Sequence, residues 1–380
     1  MNKKEISEIR RRFKPDYDNI SQIFGCYVNA AREIVTEVDL GIGLMEAEEA
    51  EMYLKILKKT LSGTMGKNLI DIEFTTAQVE SSDEHRLLMA LRDSHLRDAG
   101  LRKAFYERVI ESVNMGEESY VILIAEDSYD VPYKGVDDSV FSDGSSEVFH
   151  YFVCVICPVK DAKVALSYKP SEHNFRSATM GRVLTAPELG FMFPAFDDRS
   201  ANIYNLLYYS RNTLDIHDEF IENMFAAERA PMSAGVQKAV FGNMLSAKLG
   251  DACDLEVVKA LHGEIADRLE IHKESKSPEL PELYLTEVEE LLEENGVPEE
   301  KIESFRESCE KEFGDSPVLN PGNLVNTKRF DLTTTGIKIQ VEPEYAYEIE
   351  TRVIDGRRFI LIPADDTVEV NGIDIAVPME

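Results

Sequence analysis

Phe196-Asp197-Asp198-Arg199-Ser200, followed by Asp215-Ile216-His217-Asp218-Glu219, is the part of this chain whose side chains come nearest to a catalytic set. Adjacent carboxylates with a nearby imidazole could hold Mg²⁺ or Mn²⁺, because hard cations take oxygen ligands and polarise a phosphoryl group. Arg199 would then meet a phosphate oxygen. The chemistry implied is a metal-dependent phosphoesterase using Asp197, Asp198, Arg199, Asp215 and His217. A plainer use competes with it. Asp197 to Ser200 suits a turn and an N-cap before a helix near 203, and Asp215 suits the start of the next helix.

The other motifs fail on detail. Gly63-Thr64-Met65-Gly66-Lys67 is like a phosphate loop, but the motif's first glycine would fall on Leu61 and Asn68 follows the lysine. Its glycines suit a helix end. Cys154-Val155-Ile156-Cys157 lies inside an apolar, strand-like run. Three residues apart on a strand, the two thiols point to opposite faces, so they read as buried structural cysteines rather than a redox or zinc pair. His262-Gly263-Glu264 has the His-x-Glu of zinc deaminases without the downstream cysteine pair that chemistry requires. His85, His95, His150, His173 and His272 show no ligand spacing. Arg86, Arg97 and Arg108 recur every eleven residues, but Gly100 interrupts the register and acids interleave, which reads as a solvated, salt-bridged surface. No cofactor or metal is expected.

Charge narrows the function classes. The 380 residues carry 41 Lys and Arg against 71 Asp and Glu, a net charge of −30. That field repels a phosphate backbone and excludes a generic nucleic-acid coating role. The charge is uneven. Lys3, Lys4, Arg10, Arg11, Arg12 and Lys14 stand against Glu5 and Glu8, a local net of +4, and are the candidate nucleic-acid contacts. Residues 278–315 hold 14 acids and 3 bases, a local net of −11. That block reads as a solvated helical pair, or as an acidic nucleic-acid mimic that binds basic proteins. The charged start lacks the apolar core of a signal peptide, and no run approaches 18 apolar residues. Cys26, Cys154, Cys157, Cys253 and Cys309 are few and scattered, which suits reduced thiols in a cytoplasmic protein.

The elements that position these residues follow from periodicity. A helix over 3–14 should stop at Pro15. Ile20–Ala30 and Glu33–Leu40 read as a hairpin, and Glu46–Leu61 as a helix with Met52, Ile56 and Thr60 on one face. Helices follow from Ser82 and after a break at Gly100. Tyr120–Ala125 and Val148–Val159 are near-continuous apolar runs, expected as central strands buried on both faces. Asp127–Glu147 reads as a loop, and Lys163–Tyr168 as a strand. From Asn202 the pattern turns helical at 203–209, 215–226, 235–249 and 254–271. Two acidic helices are expected at 284–295 and 299–313, separated by Asn295-Gly296-Val297-Pro298. Beyond Pro321 the period becomes two, and Asp355-Gly356 and Asn371-Gly372 are hairpin turns, so residues 322–376 should form a small antiparallel sheet.

The whole chain resembles an uncharacterised bacterial domain-of-unknown-function family. The likeness rests on Leu57–Ile70 (LKKTLSGTMGKNLI), Ala186–Ser200 (APELGFMFPAFDDRS) and Val297–Ile302 (VPEEKI). A fainter resemblance is to the large, acidic bacterial nucleoid-associated protein family. It is carried by the order of Tyr120–Ala125, Phe149–Val159, Asn202–Phe225, the Gly-Ile-Lys-Ile-Gln-Val of 336–341, and the pair Arg358–Ile362 and Thr367–Gly372. It implies an association with the nucleoid and transfers no binding residue.

The expected fold is α+β: an N-terminal domain with an antiparallel sheet over 1–212, a helical region over 213–320, and a C-terminal β module over 321–380. The expected function is a non-enzymatic cytoplasmic protein that acts through contacts with a protein partner, with the nucleoid as one setting and no membrane. The phosphoesterase and the acidic mimic are the alternatives.

Overall fold

Strands that are apolar at every position must be covered on both sides. Ile122, Leu123, Ile124, Phe152, Val153, Cys154, Val155, Ile156 and Cys157 are all almost fully buried, and they form the centre of a two-faced sheet. The computed structural model describes residues 1–14, 19–134, 140–162, 165–178, 181–228, 230–364 and 368–376. It falls into two compact units, Met1–Val236 with Pro278–Leu280, and Gln237–Ser277 with Pro281–Glu380. Among the described residues no helix is long and apolar enough to cross a membrane.

In the first unit the sheet consists of β1 (Gln22–Val28), β2 (Ile34–Gly41), β3 (Leu69–Glu73), β4 (Ser119–Lys134), β5 (Val140–Asp161), β6 (Arg182–Leu184), β7 (Leu189–Phe193) and β8 (Asn205–Ser210). The order is β2-β1-β4-β5-β7-β8-β3, with β6 paired to the end of β5. Every pairing is antiparallel. The helices α1 (Lys3–Arg10), α2 (Ala47–Lys58), α3 (Asp83–Asp93), α4 (Ala99–Ser112) and α5 (Asp218–Phe225) cover it. On one face Cys26, Ile122, Cys154, Phe191 and Tyr208 pack against Leu88, Phe105, Val109, Phe220 and Phe225 of α3, α4 and α5. On the other, Leu123, Val155, Cys157, Met192 and Leu207 meet Ile6 and Ile9 of α1 and Leu54 and Leu57 of α2. The thiols of Cys154 and Cys157 therefore lie in different cores, as their spacing on a strand predicts.

Local signals fix the helix starts. Asn2 caps α1 in a reciprocal box with Glu5, Ser82 caps α3 and Asp98 caps α4. The break before α4 is the segment 94–98, where His95 and Leu96 have positive φ, and Gly100 sits inside the first turn. Gly190 on β7 permits a close approach: a Cβ there would lie 2.5 Å from the Cys154 carbonyl oxygen and 2.6 Å from Thr60 Cγ2.

Two expectations are corrected. Residues 203–209 are not helical. Leu206, Leu207, Tyr208 and Tyr209 form most of β8, and a short apolar run of this kind reads equally well as either element until neighbours decide it. Asp127–Glu147 is largely an arm of paired strand rather than a loop. Asp127 pairs with Tyr151, Tyr129 with Phe149 and Val131 with Glu147; residues 135–139 lie outside the described set. Its Asp and Ser content concealed a period of two. Of the expected strand Lys163–Tyr168, the structure describes Ala165–Lys169, paired with Asn174–Ala178.

In the second unit α6 (Leu255–Ser275), α7 (Leu285–Glu294) and α8 (Glu299–Phe313) enclose a separate core. Val257, Leu261, Val288, Leu292, Ile302 and Phe305 carry it. Gly296, with φ at 78°, turns α7 into α8. The C-terminal strands β9 (Phe330–Thr333), β10 (Lys338–Val341), β11 (Glu350–Ile354), β12 (Arg357–Leu361), β13 (Val368–Val370) and β14 (Ile373–Ile375) form separate two-stranded hairpins instead of one sheet. Asp355-Gly356 and Asn371-Gly372 turn the last two with positive φ at all four residues. The fold is thus α+β, with a large antiparallel sheet and small C-terminal antiparallel hairpins.

Candidate interaction surface

The carboxylates and cations singled out by sequence are mostly engaged in holding the first unit together. Asp197 and Ser200 are paired across the tight hairpin Ala195–Asp197/Ser200–Asn202, and Asp198 and Arg199 form its turn with positive φ. Asp197 faces the Met1 amino group at 3.5 Å and accepts from Asn202. Arg199 donates to Glu8 of α1 at 2.6 and 2.8 Å and to the Pro132 carbonyl at 2.8 Å. Asp215 accepts the His217 backbone N–H at 2.9 Å, just ahead of α5. The His217 ring lies 3.9 Å from Glu188. Among the described residues no three His, Cys, Asp or Glu side chains are placed to hold a metal ion.

The basic start divides. Arg12 forms a two-pronged pair with Asp127, at 2.5 and 2.8 Å, and Asp127 is 1 % exposed. Tyr151 donates to the same carboxylate at 2.8 Å, and Arg12 also lies 4.4 Å from the Tyr129 ring centre. Burial, then the adjacent Asp127, pushes the Tyr151 phenol well above its ordinary value. Arg12 therefore ties α1 to the β4–β5 arm. Lys3, Lys4, Arg11 and Lys14 are exposed and Arg10 is half-buried; none of the five makes an ion pair with another described residue.

One cluster escaped the sequence reading. Glu126 and Ser128 share a face of β4, and His150 lies opposite Ser128 on β5. Ser128 and His150 are hydrogen-bonded at 2.8 Å, His95 Nδ1 lies 3.2 Å from Glu126, and the two imidazoles sit edge to face at 5.0 Å. The continuation of the strand Tyr120–Ala125 through 126–130, which puts Glu126 and Ser128 on one face, was the available signal. Nothing in the sequence brings in His95, which arrives through the positive-φ turn after α3.

In the second unit the acidic helices are partly neutralised. Arg268 binds Glu287 at 2.5 and 2.9 Å, and Arg306 binds Glu289 at 2.7 Å. Glu290, Glu293, Glu294, Glu299, Glu300, Glu303 and Glu307 are exposed and make no ion pair with another described residue.

The C-terminal hairpins have the opposite character. β9–β10 rests on a small core of Phe330, Ala346 and Ile349. Among the described residues the two that follow have none. In β13–β14, Val368 faces Ile375 and Val370 faces Ile373 on one side, while Glu369 faces Asp374 on the other. That apolar side is open: Val370 is 48 % exposed, Ile373 66 % and Ile375 43 %. In β11–β12, Val353 pairs with Arg358, Ile354 with Arg357 and Phe359 with Arg352, and Val353 is 70 % exposed. Arginine and aromatic side chains are enriched at interfaces.

A two-faced antiparallel sheet followed by small antiparallel hairpins defines an α+β protein. The chain belongs to the family described as Domain of unknown function (DUF4317), whose model matches residues 1–373. No curated protein matches the chain. The likeness to nucleoid-associated proteins gains no support from these comparisons.

Proposed function

We propose that the chain is a binding protein and that β11–β12 and β13–β14 form the surface that meets a protein partner. The observation that carries this is the apolar side of β13–β14, where Val370, Ile373 and Ile375 are exposed beside half-buried Val368, backed by acidic residues on its other side. An isolated two-stranded hairpin is at best marginally stable in water. Contiguous exposed apolar surface rimmed by charge marks interaction sites. Arg357 and Arg358 add cations beside Val353 and Ile354, while Arg352 is paired with Glu350 at 2.7 Å; this suits a partner presenting apolar side chains flanked by carboxylates.

The test is affinity isolation from the source cells with three full-length baits: the native chain, Val370→Ser/Ile373→Ser, and Leu44→Ser. Leu44 is 93 % exposed in the first unit and serves as the control. The reading expects a protein recovered in constant proportion with the native chain and with Leu44→Ser, and lost from the hairpin variant. An unchanged set of recovered proteins across all three baits would refute it.

A further inference from the structure

A cavity of about 370 Å³ opens on the first unit between the sheet and Tyr53 of α2. That volume falls in the range of roughly 300–1,000 Å³ typical of small-molecule sites. Val38, Val121, Leu123, Val159 and Leu184 line it, so β2, β4, β5 and β6 each contribute apolar walls. Gly25, between Val38 and Leu123 in the register, keeps its floor low: a Cβ there would come within 2.8 Å of Leu123 Cδ2 and 3.2 Å of Val38 Cγ2. Tyr53 of α2 lines one side.

Among the described lining residues, Arg182 and Tyr27 bring polar groups together at one edge. Arg182 Nη1 donates to the Tyr27 hydroxyl oxygen at 2.6 Å, which leaves the phenolic proton to be donated elsewhere. Hydrogen bonding from Ser119 and then Arg182 lowers the pKa of Tyr27 below its ordinary value, so the phenol is a strengthened donor. The remaining partner of Arg182 is Asp161, at 3.6 Å, with both side chains exposed. Such a surface pair contributes little and is readily exchanged for another carboxylate.

We propose that this cavity binds an amphipathic monocarboxylate with an unbranched hydrocarbon tail, of the medium-chain fatty-acid class. Its carboxylate would sit on Arg182 and Tyr27, and its tail over Val38, Val121 and Leu184. A planar guanidinium meets a carboxylate with two parallel N–H donors, and the aliphatic walls remove the tail from water.

Calorimetric titration of the full chain with decanoate, decanol and decylamine tests it. Decanoate should bind most tightly and decylamine least. Arg182→Gln should weaken decanoate by about tenfold or more and leave decanol unchanged. Asp161→Asn, which removes the competing carboxylate, should tighten decanoate. Leu184→Trp and Val38→Trp, filling the cavity from opposite walls, should abolish binding of all three, with unfolding curves showing that each variant is folded. No binding of decanoate, equal binding of all three probes, or decanoate binding untouched by Arg182→Gln or by both tryptophan variants would overturn the proposal.

Discussion

The sheet of the first unit and the C-terminal hairpins are built from the same element and meet opposite fates. In β4 and β5 every position from 120 to 125 and from 152 to 157 is apolar apart from the thiols, and helices cover both faces. In β13–β14 one side is apolar and the other acidic, and the apolar side is open. Both follow ordinary strand patterning. What separates them is whether the chain supplies a cover. The first is a scaffold whose side chains are consumed by packing; the second leaves its apolar side exposed, which is the surface proposed above for a partner.

The largest effects should come from breaking the scaffold side of this contrast. Phe191→Ala, which empties a fully buried site among Phe105, Phe152 and Phe225, should cost about 3–5 kcal/mol in chemical denaturation. Phe359→Ala in β12, 41 % exposed, should stay within about 0.5 kcal/mol. Similar losses at the two positions would remove the distinction. Arg12→Met should cost about 3–5 kcal/mol by leaving Asp127 buried without its cation, and Arg12→Met/Asp127→Leu should recover much of that. A mild single variant would mean that the pair does not lock α1.

The thiols report each unit separately. Burial pushes Cys26, Cys157 and Cys309 up to about 12, and Cys154 well above its ordinary value. Cys253 is half-buried and raised as well. Native protein treated with a thiol reagent at neutral pH should therefore label slowly, at Cys253 first. Cys309 should become reactive only when the second unit opens, and Cys26, Cys154 and Cys157 only with the first. Rapid native labelling of any of these four would contradict the packing.

The smallest effects concern acid. Burial raises Glu5, so its charged form is disfavoured in the fold. Glu5→Gln should relieve that penalty at neutral pH, and its advantage should fade as pH falls through the raised value. Glu287 is lowered, first by its hydrogen bond to Arg268, so its contribution is present above the ordinary carboxylate value of about 4 and is lost as pH falls below it. Glu287→Gln should thus cost stability at neutral pH and become neutral in acid. Denaturation of both variants from pH 3 to pH 7 checks the opposite signs.

Much of this was legible in the residues. The double-sided strands, the opposed thiols of Cys154 and Cys157, the acidic helices 285–294 and 299–313, and the Asp355-Gly356 and Asn371-Gly372 turns all follow from periodicity and turn chemistry. Strand β8 was not legible, because Leu206–Tyr209 has no period and only its neighbours β3 and β7 make it a strand. The β4–β5 arm was hidden by polar residues on its open side. The alternation of Val368, Val370, Ile373 and Ile375 about the Asn371-Gly372 turn showed a hairpin with an apolar side, but whether anything covers that side is tertiary information. The Arg182–Tyr27 contact joins residues 155 apart in sequence and has no local signal.

The most direct test of the account places a photoreactive side chain at position 373, or at position 44 as the control, in the full chain within its source cells. The account predicts a discrete adduct with a second protein from position 373, lost when Val370 is also changed to Ser, and none from position 44. Equal yields from the two positions, or no adduct from position 373, would contradict it.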